Sequence, residues 1–504
     1  MKRLLYLLVL LPLGINAQNM YNVSSLFEND LRGTARFVGM GGSMSALGAD
    51  MSAMGTNPAG MAMFRSNDVS ITANLDMKSN TADYEGTTFE IDKTNFFIGN
   101  AAMVCAIECD NENLKFFNFG LGYRCRNNLS SAFEMCGAAN GYSQQYVMEQ
   151  LYRDRKFAYD NLQDWMYKDF RYSWLPLLAA DAWLYDDKGN FITNPDTTLI
   201  WAPDELAYFE EVNGGVHTVD FNVAGNFNDR LYLGATVAVS TVDYDRYSEY
   251  IETDAVGDIY ILENNRYVKG SGVDIKLGAI VRPFKYSPFK VGVALHTPTW
   301  YNLHEYSSAA IIDMYGNRIT TIDEGLYGDV LAVQNHLKTP WRVNASMAYT
   351  FGTYLALNAE YEYADYAKKT FTDRGNIYKS QNEEMKYNML AQHTVRVGAE
   401  LNLGGFAARV GYNYVTAPFA KDAYKELYNA SAAETSTEYM NRFDKNVVTA
   451  GLGFRGKMFY LDLAYLIEMQ NAEFYPFYDY EFENPGAAVK MRNQSFVATL
   501  GMRF

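Results

Sequence analysis

The chain has 504 residues, 48% of them apolar or aromatic and 20% charged, with 59 Asp and Glu against 43 Lys and Arg for a formal net charge of −16. That balance excludes a disordered chain, gives no footing for nucleic-acid binding and argues against a polybasic membrane-surface protein. Tyr, Phe and Trp number 40, 30 and 6, or 15% of the sequence, while mean hydropathy is −0.23, a combination that fits amphipathic strands better than buried helices.

The N-terminus reads as a secretory signal peptide over residues 1–17: Lys2 and Arg3, an apolar run from Leu4 to Leu13, and Ala17 before a cleavage point at Gln18. The run is shorter than the roughly 20 apolar residues a spanning helix needs, and no later stretch reaches that length. No Cys follows the cleavage point, so a lipid anchor is not expected.

Residues 18–66 are rich in Gly, Ala, Met and Ser and lack strand periodicity, whereas from residue 67 to 504 segment after segment alternates with period two. Val343, Ala345, Met347, Tyr349 and Phe351 alternate with Arg342, Asn344, Ser346 and Thr350, and the same rhythm recurs to Phe496, Ala498, Leu500, Met502 and Phe504. Strands are expected to begin near residues 67, 95, 114, 214, 230, 268, 288, 338, 353, 390, 405, 442, 457 and 493.

Turns near 110–113, 227–229, 284–287, 352, 404 and 456 are tight, while connections such as 138–213 and 307–338 are long. Short turns on one side and long loops on the other predict an all-β fold, a transmembrane antiparallel β-barrel of about fourteen strands, where such barrels run from about 8 to 26. Closure is required because an open edge in hydrocarbon strands backbone groups without partners. The apolar face then meets lipid, and the lumen holds Arg342, Glu360, Glu362, Arg396, Glu400, Arg409 and Asp462. Only barrels of about eight strands fill their own interior with side chains, so residues 18–66 are placed inside the lumen as a plug. A secreted all-β sandwich also alternates, and periodicity alone leaves that alternative open.

The 138–213 loop contains a helix-like stretch from Ser143, a possible N-cap, to about Phe170. It either caps the barrel mouth or flanks a ligand. The four cysteines, Cys105, Cys109, Cys125 and Cys136, match no zinc or haem spacing. On one extended strand Cys105 and Cys109 stand beyond the roughly 7 Å limit for a disulfide, and other pairings stay open.

The stretches Arg36-Phe37-Val38-Gly39-Met40-Gly41-Gly42, Ala46-Leu47-Gly48-Ala49-Asp50 and Asn57-Pro58-Ala59-Gly60-Met61-Ala62 resemble the N-terminal hatch of the FadL/TodX family of outer-membrane hydrophobic-compound transporters. Thr297-Pro298-Thr299-Trp300-Tyr301 and Thr339-Pro340-Trp341-Arg342-Val343 also resemble that family. The resemblance implies a monomeric barrel plugged by the hatch, passive uptake of long-chain fatty acids or aromatic hydrocarbons, and lateral release into membrane lipid near a kinked strand. It implies no cofactor. Asn57, Pro58, Ala59 and Gly60 would act at the hatch or gate; Asn-Pro also starts ordinary turns. Arg36, Arg342, Arg396 and Arg409 are candidate contacts for a ligand carboxylate, by type and expected inward direction. They equally serve to neutralise Glu360, Glu362 and Glu400.

Catalytic signatures are absent: there is no G-x-S-x-G, H-E-x-x-H, Walker A or paired C-x-x-C. His217, His296, His304, His336 and His393 lie at spacings that predict no metal site. Two rival readings remain. One is a barrel lipid hydrolase, with His393 beside Glu360 or Glu362 as the place to look; the other is a structural or adhesive barrel acting through its long loops.

Overall fold

A computed structural model describes residues 20–21, 24, 28, 30–154, 173–182, 203–313, 315–320, 331–372, 379–425, 427, 434–478 and 484–504. The signal peptide expected over 1–17 lies outside them. The strands are β1 (Asp68–Tyr84), β2 (Thr87–Glu108), β3 (Leu114–Asn128), β4 (Ser131–Ala138), β5 (Glu205–Phe227), β6 (Leu231–Thr253) and β7 (Asp258–Val281). They continue as β8 (Lys290–His296), β9 (Trp300–Asp313), β10 (Arg318–Thr320), β11 (Leu331–Lys338), β12 (Arg342–Phe351), β13 (Leu355–Asp365) and β14 (Thr370–Thr372). The last are β15 (Ala391–Leu403), β16 (Phe406–Val415), β17 (Tyr439–Arg455), β18 (Phe459–Tyr475) and β19 (Ala487–Arg503).

Several of these are pieces of one interrupted stave, β3 with β4, β8 with β9, β11 with β12 and β13 with β14, and β10 is a short hairpin strand folded back on β9, so the wall is a closed antiparallel barrel of 14 staves. Closure is between first and last, from Asp68↔Arg503 to Asp83↔Ala488. Thr297-Pro298-Thr299 and Thr339-Pro340-Trp341 fall at two of the interruptions, where proline removes a ladder donor. The two breaks clasp each other, Thr299 N donating to Thr339 Oγ1 at 2.8 Å and Thr339 N to Thr299 O at 3.1 Å.

Alternation sorts the two faces. Val343, Met347, Leu357, Val397, Val410, Leu452 and Leu463 stand exposed on the outside, while Asn344, Glu360, Glu362, Arg409 and Asp462 are buried within. Apolar-out and polar-in is the reverse of a water-soluble sandwich and the arrangement of an outer-membrane barrel. No described helix is long and apolar enough to cross a membrane.

Several strands begin earlier than their apolar pattern predicts: β2 at Thr87 rather than 95, β5 at Glu205 rather than 214, β7 at Asp258 rather than 268. Above the lipid belt the outward positions turn polar, as at Thr88, Glu90 and Asp92, so periodicity ends while the backbone ladder continues. For the same reason the long connection reduces to 139–204, and much of 307–338 is strand. On the long-loop side two connections are tight, at Glu85-Gly86 and at 254–257.

Ser143 accepts a hydrogen bond from Gln145 N at 3.1 Å and starts the helix Gln144–Asp154; the remainder of the stretch expected to Phe170 lies outside the described residues. With a second helix, Leu175–Asp181, it packs Val147, Met148, Leu151 and Leu178 onto Tyr208, Tyr250, Tyr260 and Phe474 at the barrel mouth.

Candidate functional site

Residues 34–64 are short capped turns. Thr34 caps the helix Ala35–Gly39, Asp50 caps the 3-10 turn Met51–Gly55, and Asn57 caps Pro58–Met63 by accepting from Ala59 N at 3.2 Å. Each is a short side chain with an acceptor that satisfies an orphan N–H, and Pro58 takes the first turn, where its missing donor is harmless.

The segment lies in the lumen against opposite parts of the wall. Asn57 Nδ2 donates to Ser45 O at 2.9 Å and Ala49 N to Gly60 O at 3.0 Å. Wall glycines admit it. A Cβ on Gly278 would come within 2.0 Å of Asn57 Oδ1 and one on Gly234 within 2.4 Å of the Pro58 carbonyl. Asn57, Pro58, Ala59 and Gly60 therefore sit together where the segment meets β6 and β7. On the far side, Gly41 adopts φ +63° against β16, where a Cβ on Gly411 would stand 2.2 Å from Gly41 N.

Arg342, Arg396 and Arg409 face inward from the wall and Arg36 reaches the wall from the luminal segment, and each of the four meets a lumen carboxylate. Arg36 clamps Glu400 at 2.8 and 2.9 Å. Arg409 bridges Glu400 and Asp462, both at 2.6 Å. Arg396 reaches Glu360 at 2.8 Å and Glu362 at 3.4 Å, and Arg342 stands 3.8 Å from Glu362. Burial alone would lower the Arg36 pKa, but the Glu400 carboxylate outweighs it and holds the guanidinium above its ordinary value. For a ligand carboxylate to use any of the four, it would have to displace one already in place.

Among the described residues the ladder parts between β2 and β3. β2 and β3 are paired only from Asn100↔Arg124 to Glu108↔Phe116. Above this, residues 87–99 pair with β1 alone and 125–138 with β5 alone. Register shifts at Thr72/Ala73 and Cys125/Asn127 flank the point of parting. β4 comes close to both β1 and β2 without joining their ladder. The wall closes here as a lap, with side chains joining the overlapping layers. Lys78 Nζ donates to Asn128 O at 2.6 Å, Asn80 Nδ2 to Ala132 O at 2.6 Å and Asn128 Nδ2 to Asp76 Oδ2 at 2.8 Å. At the parted edge Phe96 is 69% exposed.

Behind the lap is a cavity of about 190 Å³ whose lining includes Tyr21, Phe419, Tyr439, Met440, Phe474 and Met491 together with Lys78, Asn80, Asn127, Asn128 and Ser131. Tyr21 stacks on Phe419 at 4.7 Å between ring centres. Arg246, Arg442 and Lys445 in its lining are ion-paired with Glu210 and Glu438, Glu28, and Glu468 respectively. Lys78 has no carboxylate within 4.0 Å among the described residues. Sequence reading missed it: an inward lysine on a strand differs from its neighbours only through the counter-charge it lacks.

The hydrolase arrangement is not formed. His393 is exposed on the outer face with Tyr361 OH 2.7 Å from Nδ1, whereas Glu360 and Glu362 are buried on the inner face, because neighbouring positions on paired strands put them on opposite sides. His296 is turned into the lumen, its Nε2 2.6 Å from Thr56 O. All four cysteines are free thiols.

No protein-family model matches the sequence, and no curated protein matches it. Solved structures do. The chain is similar to a FadL homologue of Pseudomonas aeruginosa at 13% identity and TM-score 0.55, covering 94% of this chain and 99% of that one. It is similar to the P. putida toluene transporter TodX at 12% identity and TM-score 0.53, with the same coverage of both chains, 94% and 99%. The Ralstonia pickettii toluene transporter TbuX follows at 13% identity and TM-score 0.51, over 94% and 99%.

Proposed function

Starting from a chain built on the FadL/TodX barrel fold, we propose that it is an outer-membrane channel for passive uptake of hydrophobic small molecules, which leave sideways into the bilayer through the lap. The observation that carries this reading is the parting of β2 from β3 at a lap whose β1 and β3–β4 residues Lys78, Asn80, Asn128 and Ser131 line the lumen cavity. An apolar solute gains about 0.8 kcal/mol per CH₂ on leaving water, so a side exit into lipid is downhill. An axial path past Glu360, Arg396, Glu400 and Arg409 is not. Residues 34–64 fill that axial path, and Asn57-Pro58-Ala59-Gly60 seat them on β6 and β7. Transport needs no cofactor and no second chain.

The test is uptake of labelled oleate and of toluene by an outer-membrane-bearing host lacking its own transporter. The intact protein is compared with Pro58→Gly and with a form lacking residues 34–64. Uptake of either compound that depends on the intact chain supports the reading. A folded barrel that admits neither overturns it and favours a function in the loops.

Lys78 separates acid from neutral substrates. Lys78→Met is expected to reduce oleate uptake by roughly tenfold, the loss of one charge-assisted hydrogen bond, and to leave toluene uptake unchanged. Equal loss of both would show that Lys78 holds the lap and not a ligand.

A further inference from the structure

The lap has an asymmetry that the cavity does not explain. Three of its bonds join β1 to the β3–β4 stave, but on β2 a single side chain among the described residues hydrogen-bonds to the layer beneath, and it bypasses that stave. Lys93 Nζ donates to Glu211 Oε1 at 2.9 Å, Val212 O at 2.8 Å and Asn213 Oδ1 at 2.8 Å, all on β5. β5 is not a ladder neighbour of β2.

All three ammonium donors are thus used on one short segment, next to Val212↔Ser131, where β4 resumes pairing after the stave breaks. The Lys93 side chain is only 16% exposed, although Glu211 is 46% exposed. The alternation explains this geometry. Lys93 belongs to the inward set of β2 with Asn95 and Phe97, while Glu211 and Asn213 belong to the outward set of β5. An inward residue can meet outward ones only where one layer lies over the other.

From this we infer that Lys93 is the latch of the lateral exit, pinning the β2 flap onto β5, and that its release from Glu211, Val212 and Asn213 is the step that lets a molecule out of the cavity. No other described side chain of β2 above Asn100 bonds to β5. The flap is held besides by its hairpin with β1, by packing on β4 and by Arg32 over the Phe97 ring, so loss of the latch loosens an edge without unfolding the wall. The latch is a positioning device, and Lys93 touches no ligand. It rests on the uptake reading above.

The experiment places cysteines at Lys93 and Asn213 in a chain whose Cys105, Cys109, Cys125 and Cys136 are serine. They are joined with a short reducible bis-thiosulfonate linker, and uptake of labelled oleate and toluene is measured in cells. Folding of each form is checked by heat-modifiable migration, with the serine-only chain as reference. Joining is expected to cut uptake by roughly tenfold, with reductant restoring it, and Lys93→Met in the natural chain is expected to raise the initial rate by roughly threefold. Complete joining with unchanged uptake overturns the latch and leaves the uptake reading standing. No uptake by the natural chain overturns the uptake reading, and the latch with it.

Discussion

Arg409→Met is expected to lower the midpoint of thermal unfolding in detergent more than any other single change on the inner wall. The Arg409 side chain is fully enclosed and its partner Asp462 is 1% exposed. Removing the guanidinium leaves that carboxylate buried without a counter-charge and takes away one of two cations on Glu400. Breaking a buried pair from one side costs about 3–5 kcal/mol, whereas replacing both partners with apolar groups is often neutral. The double change Arg409→Met with Asp462→Leu is therefore expected to recover most of the loss. Heat-modifiable migration against temperature measures both, and a single variant as stable as the natural protein would mean that the network does not hold the wall.

Gly411→Val is expected to unseat the luminal segment and turn a closed barrel into a conducting one. Its Cβ would meet Gly41 N at 2.2 Å and the Met40 carbonyl carbon at 2.4 Å, backbone that no rotamer change can move aside. β16 is fixed on both edges, Gly411 pairing with Gly398 and Thr449, so the luminal segment has to give way. Planar-bilayer conductance should rise from near nothing to a steady pore current, and trypsin should reach Arg36. The control is Gly352→Asn: that glycine has φ +57° in a tight turn with only the Tyr354 ring nearby, and asparagine tolerates the conformation. An unchanged conductance in Gly411→Val would mean that the wall, not the luminal segment, blocks the pore.

The wall was legible because lipid imposes a strict period of two. Val395, Val397 and Leu401 against Arg396 and Glu400 read as one face and another from the sequence alone. Strand ends above the belt were not legible, since a ladder needs no apolar side chains to continue. For Arg36, Arg342, Arg396 and Arg409 the direction was readable, but not the partner. That depends on register between strands tens of residues apart, such as Glu360↔Arg396. The lap left only a faint trace, the Asn127-Asn128-Leu129-Ser130 stretch where β3 ends, because a stave that turns inward keeps its strand-like composition. Inner-face glycines were a signal that could have been used. Gly398, Gly411 and Gly451 fall at luminal positions, where an absent side chain marks the approach of another backbone.

Closure between β1 and β19 sets the order in which this molecule can be built. The seam needs β19, which follows every other strand of the wall along the chain, so until it pairs the sheet has two open edges and an apolar outer face with nothing to cover it. Such a chain is prone to aggregate in water. The luminal segment precedes the strands along the chain and meets the seam itself: Ala35 N donates to Thr499 Oγ1 at 2.7 Å, and Thr499 in turn meets Thr72 on β1 at 2.7 Å. A segment anchored at the seam thus gives the sheet an inner surface on which to close.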